Sequence, residues 1–180
     1  MPLVEIYRMT TAQTYSEFTA DDDNNANRLS ISAIGNEAAF PDKHTTLQDI
    51  QFGIVRTQTD NPAPHQEDVK KPDTGFAGMT YTMRLMFMFG SQGLERLQDW
   101  TADANRVRRV FRHGRFGIRF DKSKKPDPYV RDDDPTRIPD SFDVHPTNNK
   151  GLKISSFEAT WNPNNSSVVG TLVMELSGGS

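Results

Sequence analysis

Apolar and polar residues alternate most regularly between Met79 and Phe89. Met79, Tyr81, Met83, Leu85, Phe87 and Phe89 fall on one side of an extended chain, and Thr80, Thr82 and Arg84 on the other. That period of two marks a strand. Met86 and Met88 continue the second side, so the strand is expected to start with one buried face and end with two. Their cover must come from the following helix or from a neighbouring subunit, and methionine packs well on irregular surfaces. The pattern then turns helical. Leu94, Leu97, Trp100, Ala104, Val107 and Val110 or Phe111 recur at steps of three and four, one apolar stripe. Ser91 suits the N-cap and His113-Gly114 the stop, which predicts a helix over about 91–113. Phe116, Ile118 and Phe120 alternate with Gly117 and Arg119 as a short strand. The segment Met79 to Asp121 is the one around which the chain is organised.

Weaker patterns flank it. Leu3 to Met9 predicts a strand. Leu29, Ile31 and Ala33 alternate with Ser30 and Ser32, a half-buried strand before a turn at Gly35-Asn36. Leu47 to Thr57 places Ile50, Phe52 and Ile54 on one face. The chain ends in a hairpin: Leu152 to Trp161, a turn over Asn162 to Ser167, then Val168 to Leu176. Val168, Gly170, Leu172, Met174 and Leu176 share a face. In the partner strand the apolar parity switches from Leu152 and Ile154 to Phe157, Ala159 and Trp161, which predicts a bulge near Ser155-Ser156. Tyr15 to Asn27 is acidic and reads as a loop. So do 59–75 and 121–150, which are rich in proline and charge, and 177–180 reads as a flexible tail. The expected fold is mainly β (α+β), an antiparallel β-sandwich or barrel with one flanking helix and long ordered loops. It forms one domain over 1–180, with 59–75 and 121–150 as insertions.

Composition sharpens this. The 180 residues are only 34% hydrophobic, about 41% with the 12 glycines added, against roughly 45–50% by the same count in average domains. The deficit sits in the loops. A thin core with long loops suits a subunit that neighbours stabilise. There is no cysteine, so there is no disulfide and no thiolate metal site. His44, His65, His113 and His145 have no metal-ligand spacing. Asp21-Asp22-Asp23 and Asp132-Asp133-Asp134 lack the alternating oxygens of a calcium loop. No nucleophile elbow, P-loop or dinucleotide fingerprint occurs. The expectation is a non-enzymatic protein with no cofactor and no metal; an enzyme built from scattered carboxylates is the competing class. With no signal-like N-terminus and no run of about 18 apolar residues, the chain is expected to be made soluble in the cytoplasm, with no membrane partner.

Charge is segregated. Between Asn105 and Lys125, nine cations face Asp121 alone, giving +8 in a chain of net charge −3, so the remainder carries −11. Such asymmetry implies a partner surface of opposite sign. One reading is a nucleic-acid-binding module, with Arg106 to Arg119 on phosphates and Phe111, Phe116 or Phe120 stacking. Another is a solvated basic face. The third is a subunit contact. Arg106, Arg108, Arg109, Arg112, Arg115 and Arg119 of one copy meet Asp21, Asp22 and Asp23, or Asp132, Asp133 and Asp134, of the next, beside Met86 and Met88. Head-to-tail contacts of that kind close rings or propagate helices.

The order of parts carries a resemblance. A strand, a single helix with an aspartate-tryptophan end (GLERLQDW), a basic strand and a terminal hairpin (ISSFEATWNPNNSSVVGTLVMEL, with its W-x-x-N turn) resemble the tail-tube proteins of tailed viruses and contractile injection systems. The likeness spans roughly Met79 to Leu176, with 121–150 as an insertion. It implies a virion structural protein whose subunits form rings, commonly hexameric, that stack into a channel for DNA. Its partners would be copies of itself and other tail proteins, with DNA only as passing cargo. Tube, baseplate and terminator roles remain open at this point. Arginines on the bore would retard DNA, so the basic segment is placed at subunit contacts.

Overall fold

The computed structural model describes residues 3–9, 13–21, 26–32, 45–58, 73–88, 91–107, 116–121, 141–142, 151–164 and 166–177. In chain order the elements are β1 (Val4–Arg8), α1 (Tyr15–Ala20), β2 (Arg28–Ile31), β3 (Thr45–Gln58), β4 (Asp73–Phe87), α2 (Gln92–Val107), β5 (Phe116–Phe120), β6 (Ser141–Phe142), β7 (Lys153–Asn162) and β8 (Ser167–Ser177). The fold is mainly β, as the alternation predicts. Two four-stranded antiparallel sheets form: a short one in the order β2-β1-β5-β6, and a long one in the order β3-β4-β8-β7.

The two sheets share one core. Val4, Ile6, Leu29, Ile31, Phe116 and Ile118 from the short sheet pack with Tyr81, Met83, Leu85, Phe87, Leu172 and Met174 from the long one. The register explains the burial. Tyr81 stands opposite Met174 and Phe52, and Met83 opposite Leu172 and Ile50, so the apolar parity of three strands coincides on one face. Two bridges stitch the sheets together. Ser32 pairs in parallel with Thr46, and Phe116 pairs antiparallel with Leu152. The sandwich is therefore joined at both seams, toward a barrel.

Helix α2 meets strand ends of both sheets. Leu97 and Trp100 enter the core, Trp100 stacks against Phe116 at 5.4 Å, and the Arg8 guanidinium lies 5.8 Å over its indole. Arg96 donates to the Arg28 carbonyl. Ser91 caps the helix, its Oγ accepting from the Gly93 amide at 3.2 Å and bonding Thr45 Oγ1 at 2.7 Å. Gly93 permits the approach, since a Cβ there would overlap the Thr45 hydroxyl.

Several expectations need correction. Tyr15 to Asn27 is not all loop. Thr14 and Glu17 form a reciprocal capping box that starts α1, with the Glu17 amide bonded to Thr14 Oγ1 and the Thr14 amide to Glu17 Oε2. Two bonds offset the orphan donors of a six-residue helix. The 59–75 loop ends sooner, because Asp73 to Gly75 already belong to β4. The 121–150 insertion holds β6, paired to β5 through Phe142 and Ser141. Strand β2 is buried on both faces, with Ser30 8% and Ser32 2% exposed, because α1 and the β2–β3 seam cover what alternation reads as a solvent side. Conversely, within one copy the second face of β4 is not fully covered at its end. Met86 is half-buried and Met88 is 45% exposed, so α2 does not supply the whole cover, and the neighbouring subunit is the other cover expected. Ser177 is part of β8 rather than of the tail. The bulge lies where parity places it, between Ile154 and Ser156. The turn at Gly35-Asn36 and the helix stop at His113-Gly114 lie outside the described residues.

Candidate functional site

The described part of the predicted interface begins at Arg119. Strand β5 sets Arg119 opposite Glu5 of β1, on the face of the short sheet that α1 covers. Its guanidinium carbon lies 3.3 Å from the centre of the Tyr15 ring, a cation–π contact. Tyr15 donates its hydroxyl hydrogen to Glu5 Oε1 at 2.6 Å, and the other carboxylate oxygen of Glu5 faces Arg28 Nη2 at 3.4 Å. Glu5 is 8% exposed, a burial that a carboxylate tolerates because it is paired and hydrogen-bonded. The Tyr15 phenol is pushed well above its ordinary value. Burial contributes most, then the hydrogen bond to Glu5 and the field of its carboxylate; Arg119 and Arg28 oppose the shift.

Below this polar group lies a second, small core of Tyr7, Met9 and Phe18, with Tyr15 against it. Tyr7 reaches across Gly117, where a Cβ would overlap its ring. The arginine that ends the described basic strand is thus engaged within its own chain, against the helix that leads into the first acidic run.

The other predicted residues are placed as follows. Asp21 is the half-buried C-cap of α1. Arg106 lies in the last turn of α2. Met86 and Met88 lie on the outer face of the long sheet. Arg108, Arg109, Arg112, Arg115, Asp22, Asp23, Asp132, Asp133 and Asp134 lie outside the described residues, and the expected pairing of acidic with basic runs lies outside them too. Among the described residues no three histidine or carboxylate side chains gather as a metal site, and no helix is long and apolar enough to cross a membrane.

The surface that sequence reasoning missed is the rim of the long sheet. On its outer side β3 bonds Ser32 through Thr45 and Leu47. From Asp49 onward, among the described residues, it pairs with β4 alone. At the opposite edge β7 pairs with β8 alone, and Glu158 to Asn162 are all exposed. Trp161 is 67% exposed, although it shares a row with Val168 and the buried Phe87. The outer face of the sheet carries Asp49, Gln51, Thr80, Thr82, Arg84, Thr171 and Val173, half-buried or exposed. The only sequence signal for the edges is the strand order, which no local pattern encodes.

No family model matches the chain, and no curated protein matches it. Among solved structures, it is similar to a chain in the tail of an empty gene transfer agent particle, refined with helical C6 symmetry. That match has 10% identity over 74% of this chain and 78% of the other, with a TM-score of 0.38. It is also similar to a chain in the virion of a native gene transfer agent particle, at 12% identity over 74% and 81%, with a TM-score of 0.36. Likeness at this level fixes neither family nor role.

Proposed function

We propose that the chain is a non-enzymatic virion structural protein, a tail tube subunit whose copies join into rings that stack as a channel for DNA. One observation carries the reading: among the described residues the long sheet is open, beyond its two bridged seams, at its edge along β3 from Asp49 and at its edge along β7 from Lys153, and the two edges run in opposite directions. In the order β3-β4-β8-β7 every neighbour is antiparallel, so β7 of one copy set beside β3 of the next continues the alternation. A sheet extended this way loses its edges only by closing on itself, and rotation of identical copies about an axis along the strands achieves that. The resemblance of Met79 to Leu176 to tail-tube proteins points the same way. Other tail proteins would meet the ends of the stack, and the arginines from Arg106 to Arg115 with the acidic runs would set the angle between neighbours.

Sizing the full chain by light scattering and imaging it by negative stain tests this. Rings or tubes of uniform width are expected. Ala159→Lys puts a charge on an exposed, core-side position of β7, a device that blocks edge pairing. It should leave a folded monomer. Unchanged assembly of that variant refutes the edge contact. A chain that stays monomeric and binds DNA with steep salt dependence favours the nucleic-acid module instead.

A further inference from the structure

Both edges of the long sheet carry exposed apolar side chains on the same side, the one that faces the core. On β7, Trp161 is 67% exposed and Ala159 is exposed as well. They continue the rows Phe87–Val168 and Leu85–Gly170, whose first members are buried in the core. On β3, Phe52 is 38% exposed and Ile50 is half-buried, in rows with Tyr81 and Met83. The positions that alternate with them are polar or glycine on both strands.

Three constraints decide how β7 of one copy can lie against β3 of the next. The side-chain period of two makes the core sides coincide only in every second register. Part of β3 is already taken, because the Ser32 amide donates to the Thr45 carbonyl and the Leu47 amide to the Ser32 carbonyl. Thr45, Phe87, Val168 and Trp161 form one row, so an unstaggered joint would set Trp161 against the neighbour's Thr45. That register is blocked, and so is the one against Leu47. The first that remains sets Trp161 opposite Ile50. It also gives the longest overlap, since Asn162, the last residue of β7, then meets Asp49, and Lys153, the first, meets Gln58, the last of β3. Every further step shortens it.

We propose that β7 joins β3 of a second copy in this register, with Trp161 opposite Ile50, Ala159 opposite Phe52 and Thr160 opposite Gln51. Apolar then meets apolar on the core side and polar meets polar on the other. Ala159 is small, so the indole reaches the Phe52 ring on the diagonal. The stagger equals the step from Phe87 to Met83 along β4, four residues across four strands. One residue per strand is the stagger of closed barrels whose strands tilt by about 36°, so the register that seats the indole has the offset that closure needs. This rests on the reading that copies join edge to edge; it adds the register and makes Trp161 its anchor.

The chain has no cysteine, so the pair Gln51→Cys and Thr160→Cys reports the contact without background. Facing residues of an antiparallel pair lie about 4.5–5.5 Å apart at Cα, within disulfide reach. Inside one copy the two positions are three strand spacings apart, roughly 14 Å, beyond it. Oxidation of the assembled full chain should give a ladder of covalently linked copies, and the pair Gln51→Cys and Asn162→Cys, one step out of register, should not. Trp161→Ser should raise the concentration for half-assembly by about tenfold or more, and Trp161→Phe should recover most of the loss. A ladder from the Asn162 pair alone, or assembly indifferent to Trp161→Ser, overturns the proposal while the edge contact stands. Rings that yield neither ladder, or monomers under every condition, overturn both together.

Discussion

The two sheets are built from the same alternation and finished differently. The short sheet meets most of its needs within the chain, although Arg28 Nε in β2 is buried without a hydrogen-bond partner. Its inner face shares the main core, and its outer face is covered by α1 through Tyr7, Met9 and Phe18. Even its charges are spent at home, Glu5 on Tyr15 and Arg28, and Arg119 on the Tyr15 ring. The long sheet has the same core on one side, yet beyond its two bridged seams its edges along β3 from Asp49 and along β7 from Glu158 pair with no further strand among the described residues, and Trp161 is 67% exposed. Satisfied backbone is the rule for buried groups, and exposed strand edges are a hazard that folded proteins manage. The contrast separates the half of the molecule that stabilises the monomer from the half that is open to a second copy.

The largest expected effect comes from the largest buried side chain of the shared core. Trp100→Ala removes a ring that is 2% exposed and touches Phe116 and Arg8. It should cost about 3–5 kcal/mol in denaturant unfolding. A loss under about 1 kcal/mol would mean that the sheets hold together without α2. Phe18→Ala comes next, at about 3 kcal/mol or less, because the small core can partly collapse. Hydrogen exchange should show β1 and α1 opening while β4 and β8 keep their protection; equal loss in both sheets would erase the distinction drawn between them.

Smaller still is the alkaline limb. The Tyr15 phenol is held above its ordinary value of 10.0, so folding favours its neutral form. The stability this contributes is complete below pH 10 and is lost as pH rises from there toward the folded value. Tyr15→Phe should flatten that limb in a thermal melt followed from pH 8 to 11, and an unchanged limb would place the titrating group elsewhere. The smallest effect concerns Ser166, whose φ of 52° is left-handed. Ser166→Gly should stabilise the β7–β8 hairpin by a few tenths of a kcal/mol, and a loss would mean that its hydroxyl matters more than its backbone.

Much of this fold is legible in the sequence where one side of a strand is buried. Met79 to Phe87, the final hairpin and the bulge after Ile154 follow from parity alone, because a one-residue slip would expose an entire apolar row. Helix α1 is hidden by its length and its acidic flank, although Thr14-Tyr15-Ser16-Glu17 spells its capping box and Tyr15 and Phe18 are spaced for one face. The start of β4 is hidden because Asp73-Thr74-Gly75 favours turns. Its strand conformation comes from β3, which is remote in sequence. Arg119 reads as part of a free basic segment. Its engagement depends on the register that sets it opposite Glu5 and on a helix about a hundred residues earlier, and charge counting sees neither. The open edges depend on strand order, which is a property of the whole chain.

Hydrogen exchange of the full chain, compared between dilute and concentrated solution, tests the central claim most directly. The account predicts that backbone amides of β3 from Asp49 onward and of β7 from Glu158 to Asn162 gain protection on assembly, at least tenfold, while those of β1 and β5 do not change. Equal protection of the two edges at both concentrations, or a gain confined to the short sheet, would contradict it.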